Sequence, residues 1–288
     1  MASTQQLKQR IGSVKNTKQI TKAMEMVAAS KMRRAQEHAL RSREFKRLAR
    51  RILTRLSEVT DVSKHPLYTQ RKTTQRLHVF ITSDRGLAGA FNSNLFRAFM
   101  KELHQDVTDG VESSVIVVGR KGARLVNRLD GVEVIGVYEQ FPELPTASDI
   151  SPILRTIVSR FQDESADVVD ITYTHFKSSI QQVVTTERLL PAVFKEKDIE
   201  PDTGEAIIEP NPQVVLEQVT ERLIEVQLNQ AFNESQASEH SARMMAMKNA
   251  TDNAGDLIDD LTLEFNTARQ AAITQELAEI TGGAEAIN

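Results

Sequence analysis

Two glycine-bearing loops are the segments of this chain whose residue types could do chemistry. Residues 83–92 read SDRGLAGAFN and residues 119–122 read GRKG, and each loop follows a short apolar run. Loops of this kind between a strand and a helix can hold phosphates on backbone N–H groups. Neither loop matches GxxxxGK[ST] or, in context, GxGxxG, so we favour a structural role for the glycines.

Other catalytic groups are scattered along the chain. The six histidines lie at positions 38, 65, 78, 104, 175 and 240, without an HExxH motif or a pair at ligand spacing, which argues against a metal site. Cysteine is absent, and Ser83 has no neighbouring base in the sequence. We therefore expect no catalytic residue, no cofactor and no metal. A doubly wound enzyme that dimerises through its helices stays an alternative, and nucleotide binding by the isolated chain would support it.

The distribution of proline predicts a long helix at each end of the chain. All eight prolines lie between Pro66 and Pro212. Because proline costs about 3 kcal/mol inside a helix, its absence elsewhere predicts helices at roughly 4–58 and 211–282. Such helices would be about 80 Å and about 105 Å long, and each needs a packing partner along its length.

Local signals mark the ends of these two helices. Ser3 and Gln6 have the spacing of a capping box, in which two side chains satisfy backbone N–H groups at a helix start. Asn211 precedes Pro212 as an N-cap residue. The pair Gly282 and Gly283 is expected to end the second helix, because glycine readily adopts the left-handed backbone of a C-terminal cap.

Apolar residues at steps of three and four predict that the two helices pack on each other. An antiparallel coiled coil follows, since the domain between them returns the chain. The C-terminal helix carries Ile258, Leu261, Phe265, Ala268 and Ala272, with Leu216, Val219, Leu223 and Val226 upstream. The N-terminal helix carries Leu7, Ile11 and Val14, with Leu48, Ile52 and Leu56 further along.

A second apolar stripe lies at the end of the C-terminal helix, where Ile273, Leu277 and Ile280 are displaced from Ala268 and Ala272. A helix that is apolar on several faces is expected to be buried all round. One interpretation is a three-helix contact within the chain. The other is that this tip lies inside a sleeve formed by other proteins.

Charge is divided unevenly along the chain. Residues 1–76 hold 19 of the 36 Lys and Arg residues but 5 of the 39 Asp and Glu residues. The division either steadies one helix against the other or presents a basic face to an acidic partner, near Lys18, Lys22, Lys31, Arg33 and Arg34. A nucleic-acid-binding coiled coil is a third reading, but the helices have few aromatic residues for base stacking. No run of 18 apolar residues could span a bilayer.

The middle of the chain alternates between strand and helix patterns. Short β-rich runs are predicted at 77–82, 114–118, 132–137, 168–173 and 183–190, with helices near 92–105, 120–129 and 150–165. This order favours a mostly parallel sheet with helices on its faces. The fold class is therefore α/β, with a Rossmann-like domain at 61–210 inserted into a coiled-coil shaft formed by 1–60 and 211–288.

Three segments carry a resemblance to a known family. They are IGSVKNTKQITKAMEMVAASKMR at 11–33, SDRGLAGAFNSNL at 83–95, and SARMMAMKNATDNA at 241–254 continued by NTARQAAITQEL at 266–277. In this order they resemble the gamma subunit of F-type ATP synthases over the whole chain. Ala88 and Ala90 stand where the family often has cysteine and glycine, which leaves the main function unaffected.

The resemblance implies a non-catalytic rotor shaft. The paired helices would stand inside a ring of alpha and beta subunits, and the central domain would lie near the membrane ring of c subunits, with epsilon as a further partner. No nucleic acid or small-molecule substrate is implied. The chain lacks the cysteine pair of plastid relatives, so the resemblance implies a bacterial protein, peripheral on the cytoplasmic face of the inner membrane.

The resemblance also implies which residues contact partners. Arg269, Gln270 and Thr274 match positions that hydrogen-bond a beta-subunit loop. Met24 and Arg243 match positions where the shaft meets an acidic segment of the beta subunits. The second apolar stripe, Ile273, Leu277 and Ile280, would be the bearing tip inside the ring. Methionines near these positions offer flexible contacts, although they are equally suited to filling a coiled-coil core.

Overall fold

The computed structural model describes residues 3–62, 65–192, 209 and 211–285. A short 3₁₀ turn lies at Pro66–Tyr68. The longer elements are, in order, α1 (Thr4–Val59), β1 (Gln75–Ile81), α2 (Phe91–Asp109), β2 (Glu112–Val118), α3 (Arg120–Val126), β3 (Val132–Tyr138), α4 (Ala147–Gln162), β4 (Val168–Phe176), β5 (Gln182–Leu190) and α5 (Pro212–Glu285). The two long terminal helices and the strand–helix alternation are confirmed.

The helix starts form as the sequence predicts. The Ser3 N–H donates to Gln6 Oε1 and the Gln6 N–H donates to Ser3 Oγ, both at 3.2 Å. The Val214 N–H donates to Asn211 Oδ1 at 3.0 Å, which caps α5. The predicted stop at Gly282 and Gly283 is wrong, because α5 continues to Glu285. Glycine costs about 1 kcal/mol in a helix and does not forbid it.

Two compact units make up the chain. The α/β unit comprises residues 29–242, and the terminal unit comprises residues 1–28 with 243–288. Both α1 and α5 contribute to each unit. In the α/β unit, five strands form one sheet in the order β3-β2-β1-β4-β5. The pairs formed by β1 to β4 are parallel, and β5 runs antiparallel to β4, so the mostly parallel α/β fold class is confirmed.

Helices cover both faces of this sheet because its strands are apolar on both sides. On one face, side chains of α2 and α3 pack against the strands in a core that includes Phe80, Leu95, Phe99, Val117 and Val126. On the other face, α4 and α5 pack against the strands through residues that include Val79, Ile153, Ile171, Leu228 and Phe232. The sheet is therefore the centre of a three-layer arrangement.

A buried polar network joins α2 to the start of the sheet. Asp106 and His78 are both fully buried, and His78 Nε2 donates to Asp106 Oδ2 at 2.7 Å. Ser113 Oγ donates to the same oxygen at 2.9 Å, and Arg76 Nε lies 3.3 Å from Asp106 Oδ1. Arg76 also pairs with Asp170 at 3.3 Å. The network balances the carboxylate charges that folding removes from water.

Within the α/β unit, α1 and α5 pack on each other through a separate apolar cluster. Leu53 and Leu56 of α1 are buried with Leu216 and Leu223 of α5. Leu48 and Ile52, which were predicted to lie on this seam, are instead exposed. Ala49 and Leu53 are buried in their place, whereas Leu56 is buried as predicted. The buried stripe therefore agrees with the predicted one at Leu56 and is displaced by one residue at the two preceding positions.

Candidate functional site

The second glycine loop is built for close packing of strand ends. A Cβ atom on Gly119 would lie 2.3 Å from the carbonyl oxygen of Thr82, and one on Gly122 would lie 2.7 Å from Thr82 Oγ1. The Gly122 N–H donates to that hydroxyl at 2.8 Å. The glycines therefore let the end of β1 approach the turn after β2, which is the structural role favoured from the sequence.

The polar side chains of the first glycine loop form hydrogen bonds within the loop and to neighbouring backbone N–H groups. Asp84 Oδ1 accepts the N–H groups of Arg120, the first residue of α3, and of Gln140, each at 3.0 Å. Ser83 Oγ donates to the Arg85 carbonyl at 2.7 Å and accepts from Asn92 Nδ2 at 2.7 Å. The carboxylate occupies backbone N–H groups that a phosphate would need, and the serine hydroxyl is held by the loop rather than by a base.

Among residues 3–62, 65–192, 209 and 211–285, no three His, Asp or Glu side chains lie close enough to share a metal ion. Over the same residues, no helix has both the length and the apolar character to cross a membrane.

The terminal unit is an antiparallel pair of helices with a defined register. Thr251 Oγ1 donates to Thr21 Oγ1 at 2.8 Å, and both threonines are buried. Moving one heptad at a time in opposite directions from this pair places Val14 level with Ile258 and Leu7 level with Phe265. These residues lie on the predicted apolar stripes, which supports the seam expected from the sequence.

The seam has a second polar feature at Gly255, where the side chain of Lys18 lies. A Cβ atom on Gly255 would lie 2.9 Å from Lys18 Nζ, so the lysine side chain lies directly over the glycine. Thr21, Thr251 and Gly255 were not selected as site residues from the sequence, whereas Lys18 was named there as part of a possible basic face. The signal that could have found the threonines is their heptad position on otherwise apolar stripes.

The predicted contact residues form two groups within the terminal unit. Met24 and Arg243 are partly buried on the paired helices. Arg269, Gln270 and Thr274 are exposed, and Thr274 Oγ1 donates to the Gln270 carbonyl at 2.9 Å. The two groups lie about 39 Å apart along α5. Arg269, Gln270 and Thr274 thus lie within two turns of α5, far from Arg243 on the same helix.

The end of α5 extends beyond the start of α1. The register set by Thr21 and Thr251 places Thr4, the first residue of α1, level with Ala268. Residues 269–281 are all exposed, and the exposed fractions are 48% for Ile273, 57% for Leu277 and 68% for Ile280. A three-helix contact within this chain would bury these side chains, so the described residues do not form one.

The two helices of the terminal unit expose opposite charges. The exposed charged residues of α1 include the cations Lys8, Arg10, Lys15, Lys18 and Lys22, whereas those of α5 include the anions Asp252, Asp256, Asp259, Asp260 and Glu264. Lys22 Nζ pairs at 3.0 Å with Glu25 on its own helix. The pair of helices is thus basic on one side and acidic on the other.

Comparison with known proteins gives a consistent result over the full length. The family model described as "ATP synthase" matches residues 3–287. The ATP synthase gamma chain of Moorella thermoacetica is 41% identical over 288 residues, and that of Xylella fastidiosa is 38% identical over 288 residues. Each alignment covers all of this chain and all of the relative.

Solved structures agree with the sequence relatives. A chain in the central stalk and c-ring structure of the Tetrahymena thermophila mitochondrial ATP synthase is 29% identical, with a TM-score of 0.61, and the match covers 80% of this chain and 99% of that one. A chain from the Euglena gracilis enzyme is 20% identical, with a TM-score of 0.67, over 99% of this chain and 94% of that one. The second match shows the shared fold.

Proposed function

The chain belongs to the family of ATP synthase gamma chains, and from that membership we propose that it is the central stalk that carries rotation between a membrane c-ring and a catalytic ring. It is a non-catalytic subunit. ATP would be made or hydrolysed on the beta subunits, while this chain presents a different face to each of them as it turns.

The uncovered end of α5 is the observation that carries this proposal most directly. Ile273, Leu277 and Ile280 are 48% to 68% exposed on a helix that continues past the start of its partner α1. An exposed apolar stripe on a single helix favours burial by another protein. A sleeve of alpha and beta subunits would provide that burial and let the tip turn within it.

The opposite charges of α1 and α5 suit a shaft whose faces must differ. A rotor that looked the same from every side could not set neighbouring catalytic sites to different states, because a ligand shifts an equilibrium only by its differential affinity for the two states. The basic face of α1 would meet acidic segments of the ring once in each turn.

The partners and location follow from the same assignment. We assign the shaft to residues 1–60 and 211–288 and the domain nearest the c-ring to residues 61–210. The alpha, beta, epsilon and c subunits are the proposed partners, and Met24, Arg243, Arg269, Gln270 and Thr274 are the proposed contacts with beta. The complex would place the chain on the cytoplasmic face of a bacterial inner membrane, as a peripheral subunit.

Coupling must be spread over many contacts. Moving a beta subunit from 1:99 to 99:1 between two states requires a differential interaction of about 5.5 kcal/mol. One exposed ion pair contributes about 0–1 kcal/mol. About six or more contacts of this strength are therefore needed, which is consistent with two separate groups of contact residues along the shaft.

Rotation of the chain itself tests the proposed function. The chain has no cysteine, so Val107→Cys, at a position that is 77% exposed on α2, would give one attachment point for a probe. In a complex with alpha and beta subunits, we expect ATP to drive rotation of the probe in one direction. A labelled complex that hydrolyses ATP while the probe stays fixed would contradict the proposal.

Replacing Arg269 by alanine should weaken coupling without preventing assembly. Because one exposed contact is worth at most about 1 kcal/mol, ATP hydrolysis and synthesis by the reconstituted complex should fall by no more than about fivefold. Arg128→Ala, at an exposed arginine of the α/β unit, is the control and should leave both rates unchanged. Unchanged rates in the Arg269 variant would remove this residue from the proposed contacts.

A further inference from the structure

The segment between β3 and α4, residues 139–146, contacts both long helices inside the α/β unit. The Phe141 ring stacks on Phe232 of α5, with ring centroids 4.6 Å apart and an angle of 27° between the planes. Gln236 Nε2, also on α5, donates to the Pro142 carbonyl at 2.7 Å. Glu143 forms an ion pair with Lys31 of α1. Three consecutive residues thus reach two helices.

The same segment is fixed to the sheet and its helices at both ends. The Gln140 N–H donates to Asp84 at the end of β1. At the other end, the Thr146 N–H donates to Asp149 Oδ2 at 2.8 Å in a capping box that starts α4. A segment held at both ends by regular elements moves with them rather than independently.

The contact with α1 is electrostatic. Burial alone would raise the pKa of Glu143, but the hydrogen bond from Lys31 and the charges of Lys31, His240 and Arg34 outweigh it and hold that pKa below its ordinary value. These groups line a cavity of about 260 Å³ between the segment and the two helices. The carboxylate therefore stays ionised beside a cluster of positive charge at neutral pH.

The contact with α5 is mainly apolar. Phe232 is 1% exposed and belongs to the core between α5 and the sheet, together with Ile224, Leu228 and Ala231. Helix α5 is thus joined to the sheet by a packed core, and the Phe141 ring adds to it. On α1, Ala28, Met32 and Ala35 are buried beside Lys31. The Lys31 side chain itself is 29% exposed, and its ion pair with Glu143 is a direct polar link from this turn of α1 to the segment.

We propose that residues 139–146 form a torque clasp, which holds α1 and α5 in one rotational setting relative to the sheet so that rotation of the α/β unit turns both helices. The inference rests on the proposed stalk function. Torque applied through the sheet acts on α5 through its packed core. Helix α1 follows α5 through their contact near Leu53 and Leu223, and the ion pair adds a direct link from the segment to α1. Lys31 and Glu143 are positioning residues in this proposal.

Charge reversal in the intact, membrane-reconstituted complex tests the clasp. Glu143→Lys should lower the number of protons pumped per ATP hydrolysed by about twofold or more, because it replaces the only carboxylate among the described residues that line this cavity by another cation beside Lys31, Arg34 and His240. ATP hydrolysis and the thermal unfolding of the isolated chain should stay close to wild type, since the pair is partly exposed. The double variant Glu143→Lys with Lys31→Glu should restore at least half of the lost pumping.

A matched ion pair at the start of the same segment supplies the control. Glu139 and Arg120 pair at 3.2 Å with similar exposure, 46% and 37%, but they join two parts of the α/β structure and no long helix. Glu139→Lys should therefore leave pumping unchanged. Three results would each overturn the clasp. The first is normal proton pumping by Glu143→Lys, and the second is a loss of pumping that the double variant does not restore. The third is an equal loss of pumping in Glu139→Lys.

The outcome separates the clasp from the function on which it rests. If the wild-type complex shows ATP-driven rotation and pumping while Glu143→Lys is also normal, the clasp is wrong and the stalk function stands. If the wild-type chain does not rotate in an active complex, the stalk function itself fails.

Discussion

Replacing Asp106 by alanine is expected to lower the free energy of unfolding by about 3–5 kcal/mol, because it leaves His78 without its buried acidic partner and Arg76 with Asp170 alone. The carboxylate accepts from His78 at 2.7 Å and from Ser113 at 2.9 Å, and Arg76 lies 3.3 Å away. Urea unfolding at pH 7, followed by tyrosine fluorescence, would measure the loss. All three tyrosines, Tyr68, Tyr138 and Tyr173, lie in the α/β unit.

Asp109 supplies a matched control on the same helix. It is exposed near the end of α2, where both carboxylate oxygens accept from Gln105 Nε2 at 3.0 Å. Asp109→Ala makes the same chemical change on α2 without opening a buried network, so its effect should stay within about 0.5 kcal/mol. Similar losses of unfolding free energy in Asp106→Ala and Asp109→Ala would show that the buried network makes no special contribution to stability.

The pH dependence gives the same prediction an independent test. Burial alone would raise the pKa of Asp106, but hydrogen bonds from His78 and Ser113 and the charges of His78 and Arg76 outweigh it and leave that pKa below its ordinary value. The stabilisation is therefore fully present above about pH 4, the ordinary value in the unfolded chain, and is lost as the pH falls through the folded pKa. The difference in unfolding free energy between wild type and Asp106→Ala should therefore become smaller below about pH 4.

The sequence predicts the long helices and the sheet because their signals are local. Ser3 caps α1 through Gln6, three residues away, and Asn211 caps α5 through the N–H of Val214. Strand positions follow from runs such as Val115–Val118, whose apolar side chains are buried on both faces. Signals of this kind need no knowledge of the tertiary structure.

The buried network could not be predicted in this way. His78 and Asp106 are 28 residues apart, and Asp106 looks like any polar residue near the end of a helix until α2 packs on the sheet. The burial of Ala49 and Leu53 in place of Leu48 and Ile52 has a similar cause. Several faces of α1 carry apolar residues, and contact with α5 decides which of them is buried.

The candidate site was predicted in part. Heptad spacing indicates the stripes of α1 and α5, but their register depends on Thr21 and Thr251, two polar residues on otherwise apolar seams. A buried polar pair disfavours alternative registers, because slipping by one heptad would separate the two hydroxyls and leave each with only its bond to a carbonyl of its own helix. The sequence shows the exposed end of α5 as a second apolar stripe. Its two interpretations differ in whether this chain or other proteins bury the stripe.

Gly119→Ala is expected to destabilise the α/β unit by about 2–6 kcal/mol, from backbone strain and steric overlap together. Gly119 has φ +97°, a conformation that residues with a side chain rarely adopt, and an added Cβ would lie 2.3 Å from the Thr82 carbonyl oxygen. Thr82 cannot move away easily, because its own N–H donates to the Val118 carbonyl at 2.8 Å. Urea unfolding of the isolated chain would measure the effect.

Gly131→Ala separates the two causes. Gly131 also has positive φ, +80°, but no atom lies within 4 Å of an added Cβ. It should therefore show the strain alone, about 1–3 kcal/mol, and the difference between the two variants should report the overlap at Thr82. Equal losses at the two positions would mean that the close approach of β1 to the turn after β2 is not what requires glycine. A larger loss at Gly119 would explain why a loop with phosphate-binding composition serves here to join two strand ends.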